Sequence, residues 1–193
     1  MKALVTGAAG FIGSHLSAAL LDAGATVTGL DCFTDYYPRP LKEANLATVR
    51  EKPGFRFVEA ALQDTDLKAL VSGVTHVFHL AAQAGVRKSW GRDFNVYTKN
   101  NVEATQRLLE ALVGVPIQKY VYASSSSVYG DDVPLPMQED AYYSRYRRTA
   151  SRSLRPNTSG TSIGRTSAFP LSRCDISRSM DLASGRIWGS SAF

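Results

Sequence analysis

The chain has 193 residues, with 22 basic and 17 acidic side chains and a formal net charge of +5. This length is sufficient for one domain with a sizeable core, and no run of about 18 apolar residues predicts a membrane span. The N-terminal segment lacks the long apolar region of a secretory signal peptide, and Cys32 and Cys174 fit neither a metal-binding spacing nor a disulfide framework. We therefore expect a cytoplasmic protein with no membrane partner.

The excess of basic over acidic residues is confined to the last quarter of the chain. Residues 144–193 contain nine arginines, two aspartates, no lysine and no glutamate, a net charge of +7, together with 12 serines. Residues 1–143 carry a net charge of −2. This change in composition predicts a folded domain over residues 1–140 and an irregular, poorly ordered Arg/Ser-rich tail over residues 141–193. The tail lacks the interleaved aromatic residues of an evolved binding surface, so no nucleic-acid partner is expected.

The first 130 residues alternate between strand-like and helix-like segments. Short runs rich in β-branched and aromatic residues predict strands, and apolar residues that recur every three or four positions predict helices. We expect strands over residues 2–8, 26–31, 55–62 and 75–82, a fifth strand from residue 119 that runs into a serine-rich loop, and helices over residues 12–24, 65–73 (capped by Thr65) and 100–114. Such alternation is typical of an α/β fold with a parallel sheet, whose ligands bind beyond the carboxyl ends of the strands.

Three glycines lie between the first predicted strand and the first helix. Gly7, Gly10 and Gly13 form a GxxGxxG pattern. Gly7 permits a tight turn, Gly10 allows the backbone to approach a pyrophosphate, and Gly13 allows the helix to pack closely on the strand. The helix N-terminus then presents N–H groups and the positive end of its dipole to the phosphates. This pattern, in a strand–loop–helix context, predicts dinucleotide binding.

An aspartate ends the second predicted strand, at the same edge of the sheet. Asp31 lies 18 residues after Gly13, close to the spacing at which an acidic residue binds the adenosine ribose. Its carboxylate is able to accept hydrogen bonds from both ribose hydroxyls and would repel a 2′-phosphate. We therefore expect NAD rather than NADP as the cofactor.

Five segments together resemble the NAD-dependent nucleotide-sugar epimerase/dehydratase family of extended short-chain dehydrogenases. Four of them read "VTGAAGFIGSHL", "HLAAQAGV", "NNVEATQRLLEA" and "YASSSSVYG". The fifth is "LDCFTDYY". The longer stretch "DCFTDYYPRPLKEANL" is most similar to the UDP-glucuronate 4-epimerase branch. The resemblance covers residues 1 to about 140. It implies a Rossmann-type doubly wound parallel sheet, here truncated, a nucleotide-sugar substrate, and homodimers among the full-length relatives.

The resemblance also implies roles for individual residues. The cofactor-binding set comprises Gly7, Gly10, Phe11, Ile12, Gly13, Asp31, Leu62, Leu80, Ala81, Ala82 and Asn100. Ser125 matches the catalytic Ser/Thr that hydrogen-bonds the C4 hydroxyl of the sugar, with Ser126 and Ser127 beside the substrate. Ala61 replaces the aspartate that holds adenine in the family, so we expect that contact to be weaker or to move to Asp64.

The tyrosine–lysine pair of the family is missing. In the family, a tyrosine followed four positions later by a lysine acts as base, because the ammonium favours the phenolate of a group with a pKa near 10. Here Tyr142 is followed by Tyr146 and Tyr143 by Arg147. We therefore expect a family epimerase that is inactive in this chain. The alternatives are a nucleotide-sugar 4,6-dehydratase, which would favour an acidic pair after the catalytic residue, and a non-catalytic NAD-binding module.

Two histidines flank the fourth predicted strand. His76 and His79 alternate with Val77 and Phe78, and no carboxylate or cysteine completes a metal-ligand spacing. We expect structural histidines and no metal site.

A shifted reading frame accounts for the tail. Arg147–Ser153 can be encoded by codons that, read from the third base, give Pro-Tyr-Gly-Val-Thr-Lys. The residues from Cys174 onward can be encoded by codons that give Leu-Arg-Tyr-Phe in the same shifted frame. Both are motifs of the family. We infer that the C-terminal part of the chain is frameshifted.

The gene sequence around codons 138–147 tests this inference. We expect its shifted frame to encode Tyr-Gly-Val-Thr-Lys. Any other reading in that frame means that the tail has a different origin.

Overall fold

The computed structural model describes residues 1–85, 93–124 and 136, together with the backbone of residues 171–174. Six strands lie within this part of the chain: β1 (Lys2–Thr6), β2 (Thr26–Asp31), β3 (Phe55–Glu59), β4 (His76–His79), β5 (Lys119–Ala123) and β6 (Leu171–Cys174). The α-helices are α1 (Phe11–Asp22), α2 (Arg39–Arg50), α3 (Leu67–Leu70), α4 (Phe94–Tyr97) and α5 (Ala104–Ala111), with a π-helical segment, Thr98–Glu103, joining the last two. None of these helices is long and apolar enough to cross a membrane.

The strands form one parallel sheet in the order β3-β2-β1-β4-β5-β6. The chain moves outward from β1 to β3, then returns to the other side of β1 with β4. This reversal leaves a crevice at the carboxyl ends of β1 and β4, where ligands of such sheets bind. The predicted α/β, doubly wound architecture is therefore confirmed.

Side chains along each strand point alternately to the two faces of the sheet, so a separate part of the hydrophobic core lies on each face. Leu4 of β1 and Val77 of β4 pack on one face with Leu108 of α5. Ala3 and Val5, the neighbours of Leu4, point to the opposite face because successive side chains of a strand alternate. There they pack under α1, and α2 adds the buried Leu46 and Val49 beside it. A helical layer thus covers each face of the sheet.

Several elements differ from the prediction. Helix α2 was not predicted, and β3 ends at Glu59, so Leu62 opens a 3₁₀ turn instead of closing a strand. The N-cap of α3 is Asp66, whose carboxylate accepts the Ala69 N–H at 3.1 Å. Thr65 instead donates its hydroxyl to the Ala61 carbonyl, so its predicted capping role is wrong.

The tail also differs from the prediction at one place. Residues 171–174 form β6, which pairs in parallel with β5. No strand was expected there, since "LSRC" shows little strand character in isolation. The hydrogen-bonding edge of β5 supplies the partner that a sequence pattern does not reveal. The rest of the predicted tail lies outside the described residues.

Candidate functional site

A cleft of about 640 Å³ opens at the carboxyl ends of β1, β2 and β4. All eleven residues of the predicted cofactor-binding set line it: Gly7, Gly10, Phe11, Ile12, Gly13, Asp31, Leu62, Leu80, Ala81, Ala82 and Asn100. They come from five separate parts of the sequence, and the strand order of the sheet brings them together. Their individual roles remain predictions.

The glycine loop is built from backbone contacts that exclude side chains. Gly7 has a φ of +74°, which only glycine adopts without strain, and its N–H donates to the Leu30 carbonyl at 2.8 Å. A Cβ on Gly13 would overlap the Gly7 carbonyl oxygen, so α1 rests directly on the turn. Gly10 is the N-cap of α1, and within the described residues no side chain caps this end. The first-turn N–H groups of α1 therefore face the cleft as a potential anion site.

The Asp31 carboxylate joins the glycine loop to the segment after β2. Its Oδ2 accepts the Ala9 N–H at 3.0 Å, and its Oδ1 accepts the Phe33 N–H at 2.8 Å. Phe33 has a φ of +49°, in the left-handed region that is unusual for a bulky residue. A carboxylate has about four lone-pair positions, so Asp31 keeps acceptor capacity for a ligand. Asp31 is thus held in place by the backbone groups on either side of it.

A buried lysine lies on the same rim of the cleft. Lys42 of α2 is only 4% exposed, and its Nζ donates to the Thr34 carbonyl at 2.5 Å and lies 4.8 Å from the centroid of the Tyr37 ring. These contacts offset the cost of removing an ammonium group from water. Burial, and then the nearby Asp31 carboxylate, raise the pKa of the neighbouring Cys32 thiol, while Lys42 acts in the opposite direction. Lys42 lines the cleft, and the sequence did not single it out.

The 3₁₀ turn after β3 forms another wall of the cleft, and its residues are placed differently from the adenine contact expected at Asp64. Leu62 is 4% exposed and belongs to the core as well as to the cleft wall. Asp64, to which the adenine contact was expected to move, is exposed at the end of the 3₁₀ turn, whereas Gln63 lines the cleft. The Gln63 amide donates to Asn100 Oδ1 at 3.3 Å and to the Lys99 carbonyl at 2.7 Å. This pairing places Asn100 at the cleft.

The two histidines of β4 have separate environments. His79 is 1% exposed and lies between the hydroxyls of Thr6 and Thr105, and burial lowers its pKa from 6.5 to about 4. Desolvation, followed by the nearby N-terminal amine, lowers the pKa of His76. Among the described residues no group of three or more His, Cys, Asp or Glu side chains is arranged to hold a metal ion. His79 is therefore a buried, hydrogen-bonded residue of the core.

The predicted catalytic and substrate residues lie outside the described part of the chain. Ser125, Ser126 and Ser127 follow Ser124, which ends the described segment 93–124. Tyr142, Tyr143, Tyr146 and Arg147 lie outside it as well. The topology places the exit of β5 beside that of β4, at the edge of the sheet where the cleft opens.

The strand order, the glycine loop at the reversal point and the acidic residue at the end of β2 define a doubly wound α/β protein of the dinucleotide-binding type. A profile of the NAD dependent epimerase/dehydratase family matches residues 3–153. The chain belongs to this family.

Two relatives illustrate the match in sequence. The chain is 50% identical over 132 residues to YtcB of Bacillus subtilis, named an uncharacterized UDP-glucose epimerase. It is 45% identical over 140 residues to UDP-glucuronate 4-epimerase 4 of Arabidopsis thaliana. The alignments cover 68% and 70% of this chain, but 42% and 32% of the relatives.

Solved structures of related enzymes superpose on a larger part of this chain than the sequence alignments cover. The UDP-glucuronic acid 4-epimerase of Bacillus cereus, in complex with UDP-glucuronic acid and NAD, superposes with a TM-score of 0.84 at 37% identity, covering 90% of this chain and 55% of that one. DesIV, the dTDP-glucose 4,6-dehydratase of Streptomyces venezuelae with NAD bound, gives 0.76 at 31% identity, covering 91% and 55%. The chain therefore spans about half the length of these proteins or less.

The burial of His79 predicts a loss of stability in mild acid. As the pH falls below 6.5, the unfolded chain binds a proton at this histidine, whereas the folded chain resists it until the pKa of about 4 is reached. Between pH 7 and pH 4 this difference lowers the free energy of unfolding by about 3 kcal/mol. Urea unfolding of the wild type and of His79→Asn across this range measures it, and equal pH dependence in the two proteins would contradict the assignment.

Proposed function

We propose that this chain is the NAD-binding part of a UDP-sugar 4-epimerase that acts on UDP-glucuronate or a close analogue. The observation that supports this most strongly is the convergence of the eleven predicted residues on one cleft in a member of this family. The substrate class follows from the relatives, several of which are named UDP-glucuronate 4-epimerases. The adenosine and pyrophosphate contacts arise within residues 1–124, which the described structure largely covers.

The cleft has the shape and polarity that a dinucleotide requires. At one end the N-terminus of α1 faces the position of the pyrophosphate, where Gly10 leaves room for the phosphate oxygens. At the adenosine end the Asp31 carboxylate is held by two backbone N–H groups and keeps acceptor positions for ribose hydroxyls. The negative charge of Asp31 disfavours a 2′-phosphate, so NAD is preferred to NADP.

The chemistry needs one group that this chain does not supply. NAD, when bound, provides a reversible hydride acceptor for C4 of the sugar. We propose that Ser125 hydrogen-bonds the C4 hydroxyl. The proton of that hydroxyl requires a base, and no tyrosine in the 193 residues is followed four positions later by a lysine. The 193-residue chain therefore binds NAD without completing epimerisation.

A 4,6-dehydratase is the second candidate reaction, and the structural similarity to DesIV supports it. The segment after Ser125 reads "SSVYG" and has no acidic residue at the positions where a dehydratase would favour an acidic pair. An epimerase therefore agrees better with the sequence.

Isothermal titration with NAD tests the proposal. We expect the wild-type chain to bind NAD, and Gly10→Ala to lower the affinity by at least about tenfold, because a methyl group at the N-cap occupies the space of the pyrophosphate. In the ligand-free chain a Cβ on Gly10 would lie 3.1 Å from the Gly7 carbonyl oxygen, which must move by a few tenths of an ångström, so the thermal stability of Gly10→Ala is measured beside its affinity.

Gly24→Ala is the matched control. Gly24 has a φ of +80° with no atom near its Cβ position, so the substitution lowers stability by about 1 kcal/mol without reaching the cleft. Its affinity for NAD should equal that of the wild type. Absence of binding at millimolar NAD by a folded wild-type chain would overturn the proposal.

An activity assay separates binding from chemistry. With NAD and UDP-glucuronate we expect no 4-epimer above background, since the tyrosine–lysine pair is absent. Turnover would show that another residue serves as base, while leaving the assignment of the cofactor cleft unchanged.

A further inference from the structure

His79 lies at the centre of a chain of buried hydrogen bonds that links β1, β4 and α5. Its Nδ1 is 2.7 Å from the Thr6 hydroxyl oxygen, and its Nε2 is 2.9 Å from the Thr105 hydroxyl oxygen. Both threonines are almost fully buried. The Thr6 hydroxyl oxygen also accepts the backbone N–H groups of Leu80 and Ala81, at 3.2 and 3.1 Å. These two residues line the cleft, so the network connects the core to the cleft wall.

The Asn101 carbonyl oxygen, which only accepts, determines which atom donates in each hydrogen bond from Thr105 to Thr6. The Thr105 hydroxyl is 2.9 Å from the Asn101 carbonyl oxygen, which only accepts. Thr105 therefore donates its single proton to Asn101 and accepts from His79 Nε2–H. Nδ1 of His79 then carries no proton and accepts the Thr6 hydroxyl. The Thr6 oxygen is left with its lone pairs for the N–H groups of the loop.

Asn101, whose carbonyl accepts the Thr105 hydroxyl, also binds the far end of the loop that follows β4. Asn101 holds Gln83 through two hydrogen bonds, since its Oδ1 accepts the Gln83 N–H at 2.7 Å and its Nδ2 donates to the Gln83 carbonyl at 3.1 Å. Asn101 lies in the π-helical segment, where the helical register shifts at a position facing the cleft loop. The loop of residues 80–83 is thus held at one end by Thr6 and at the other by Asn101, and His79 and Thr105 connect these two residues.

We propose that His79 is a positioning residue for the cofactor, acting through Thr6 to fix the Leu80–Ala81 peptide where it packs against Gly7. A Cβ on Gly7 would lie 2.9 Å from the Ala81 nitrogen, so the Leu80–Ala81 peptide packs directly on the glycine turn. The inference rests on the proposed NAD binding only for its effect on affinity. The network itself is testable in the ligand-free chain.

The test removes the hydroxyl that contacts the loop. In Thr6→Val the Ala81 N–H loses its acceptor, and we expect faster amide hydrogen exchange at Ala81 and about tenfold weaker NAD binding. Thr6→Ser keeps the hydroxyl and should restore both properties. NMR-detected exchange of the ligand-free chain and NAD titration supply the two measurements.

Thr75→Val is the matched control. Thr75 also joins β1 to β4 through its hydroxyl, which donates to the Lys2 carbonyl at 3.0 Å and lies 2.9 Å from Nδ1 of His76. This contact lies at the amino end of β4, at the opposite edge of the sheet from the cleft. Thr75→Val should lower stability while leaving Ala81 exchange and NAD affinity unchanged.

Each outcome decides between positioning and general stabilisation. Equal effects of Thr6→Val and Thr75→Val on Ala81 exchange would overturn the proposal, as would an NMR spectrum showing the proton of His79 on Nδ1.

If Thr6→Val does not fold, His79→Gln replaces it, because glutamine reaches Thr105 but not Thr6. His79→Asn, which reaches Thr6, is then its control. A wild-type chain that fails to bind NAD refutes the proposed function, while Ala81 exchange still decides the role of the network.

Discussion

At Gly7 three backbone segments lie so close together that a methyl group fits at none of their contacts. Helix α1 approaches through Gly13, whose Cβ position overlaps the Gly7 carbonyl, and the loop after β4 approaches through Ala81. The Gly7 N–H is meanwhile bonded to β2. This packing fixes where α1 begins, and hence where its N-terminal N–H groups point. The α1 wall of the cleft and the wall that follows β4 are both positioned by this constraint, because both pack against the same turn.

Polar groups then hold the walls at set distances from the turn. Asp31 joins the glycine loop to the segment after β2 through two backbone N–H groups. Thr6 and His79 join the turn to the loop after β4, with α5 as the far support. Because these groups are wholly or partly shielded from water, an unpaired donor or acceptor among them would be costly, which favours one arrangement of the loops. A cofactor that binds there meets a preformed surface.

Local patterns were enough to predict most of the sheet and the glycine loop. The apolar β-branched runs located β1 to β5, and the spacing from Gly13 to Asp31 located two walls of the cleft. Helix α2 was missed because its buried stripe is Lys42, Leu46 and Val49, in which a charged residue replaces an apolar one. The position of β6 depends on the edge of β5, and the cap of α3 on whether the Thr65 or the Asp66 side chain reaches the helix backbone. Such choices are made by tertiary contacts, which a local pattern does not contain.

We propose that the first 124 residues assemble an NAD site with the adenosine ribose at Asp31. A crystal structure of the 193-residue chain grown with NAD measures this most directly. Both ribose hydroxyls should lie within hydrogen-bonding distance of the Asp31 carboxylate, and the pyrophosphate should lie at the N-terminus of α1. NAD bound elsewhere, or an adenosine ribose that makes no contact with Asp31, would contradict it.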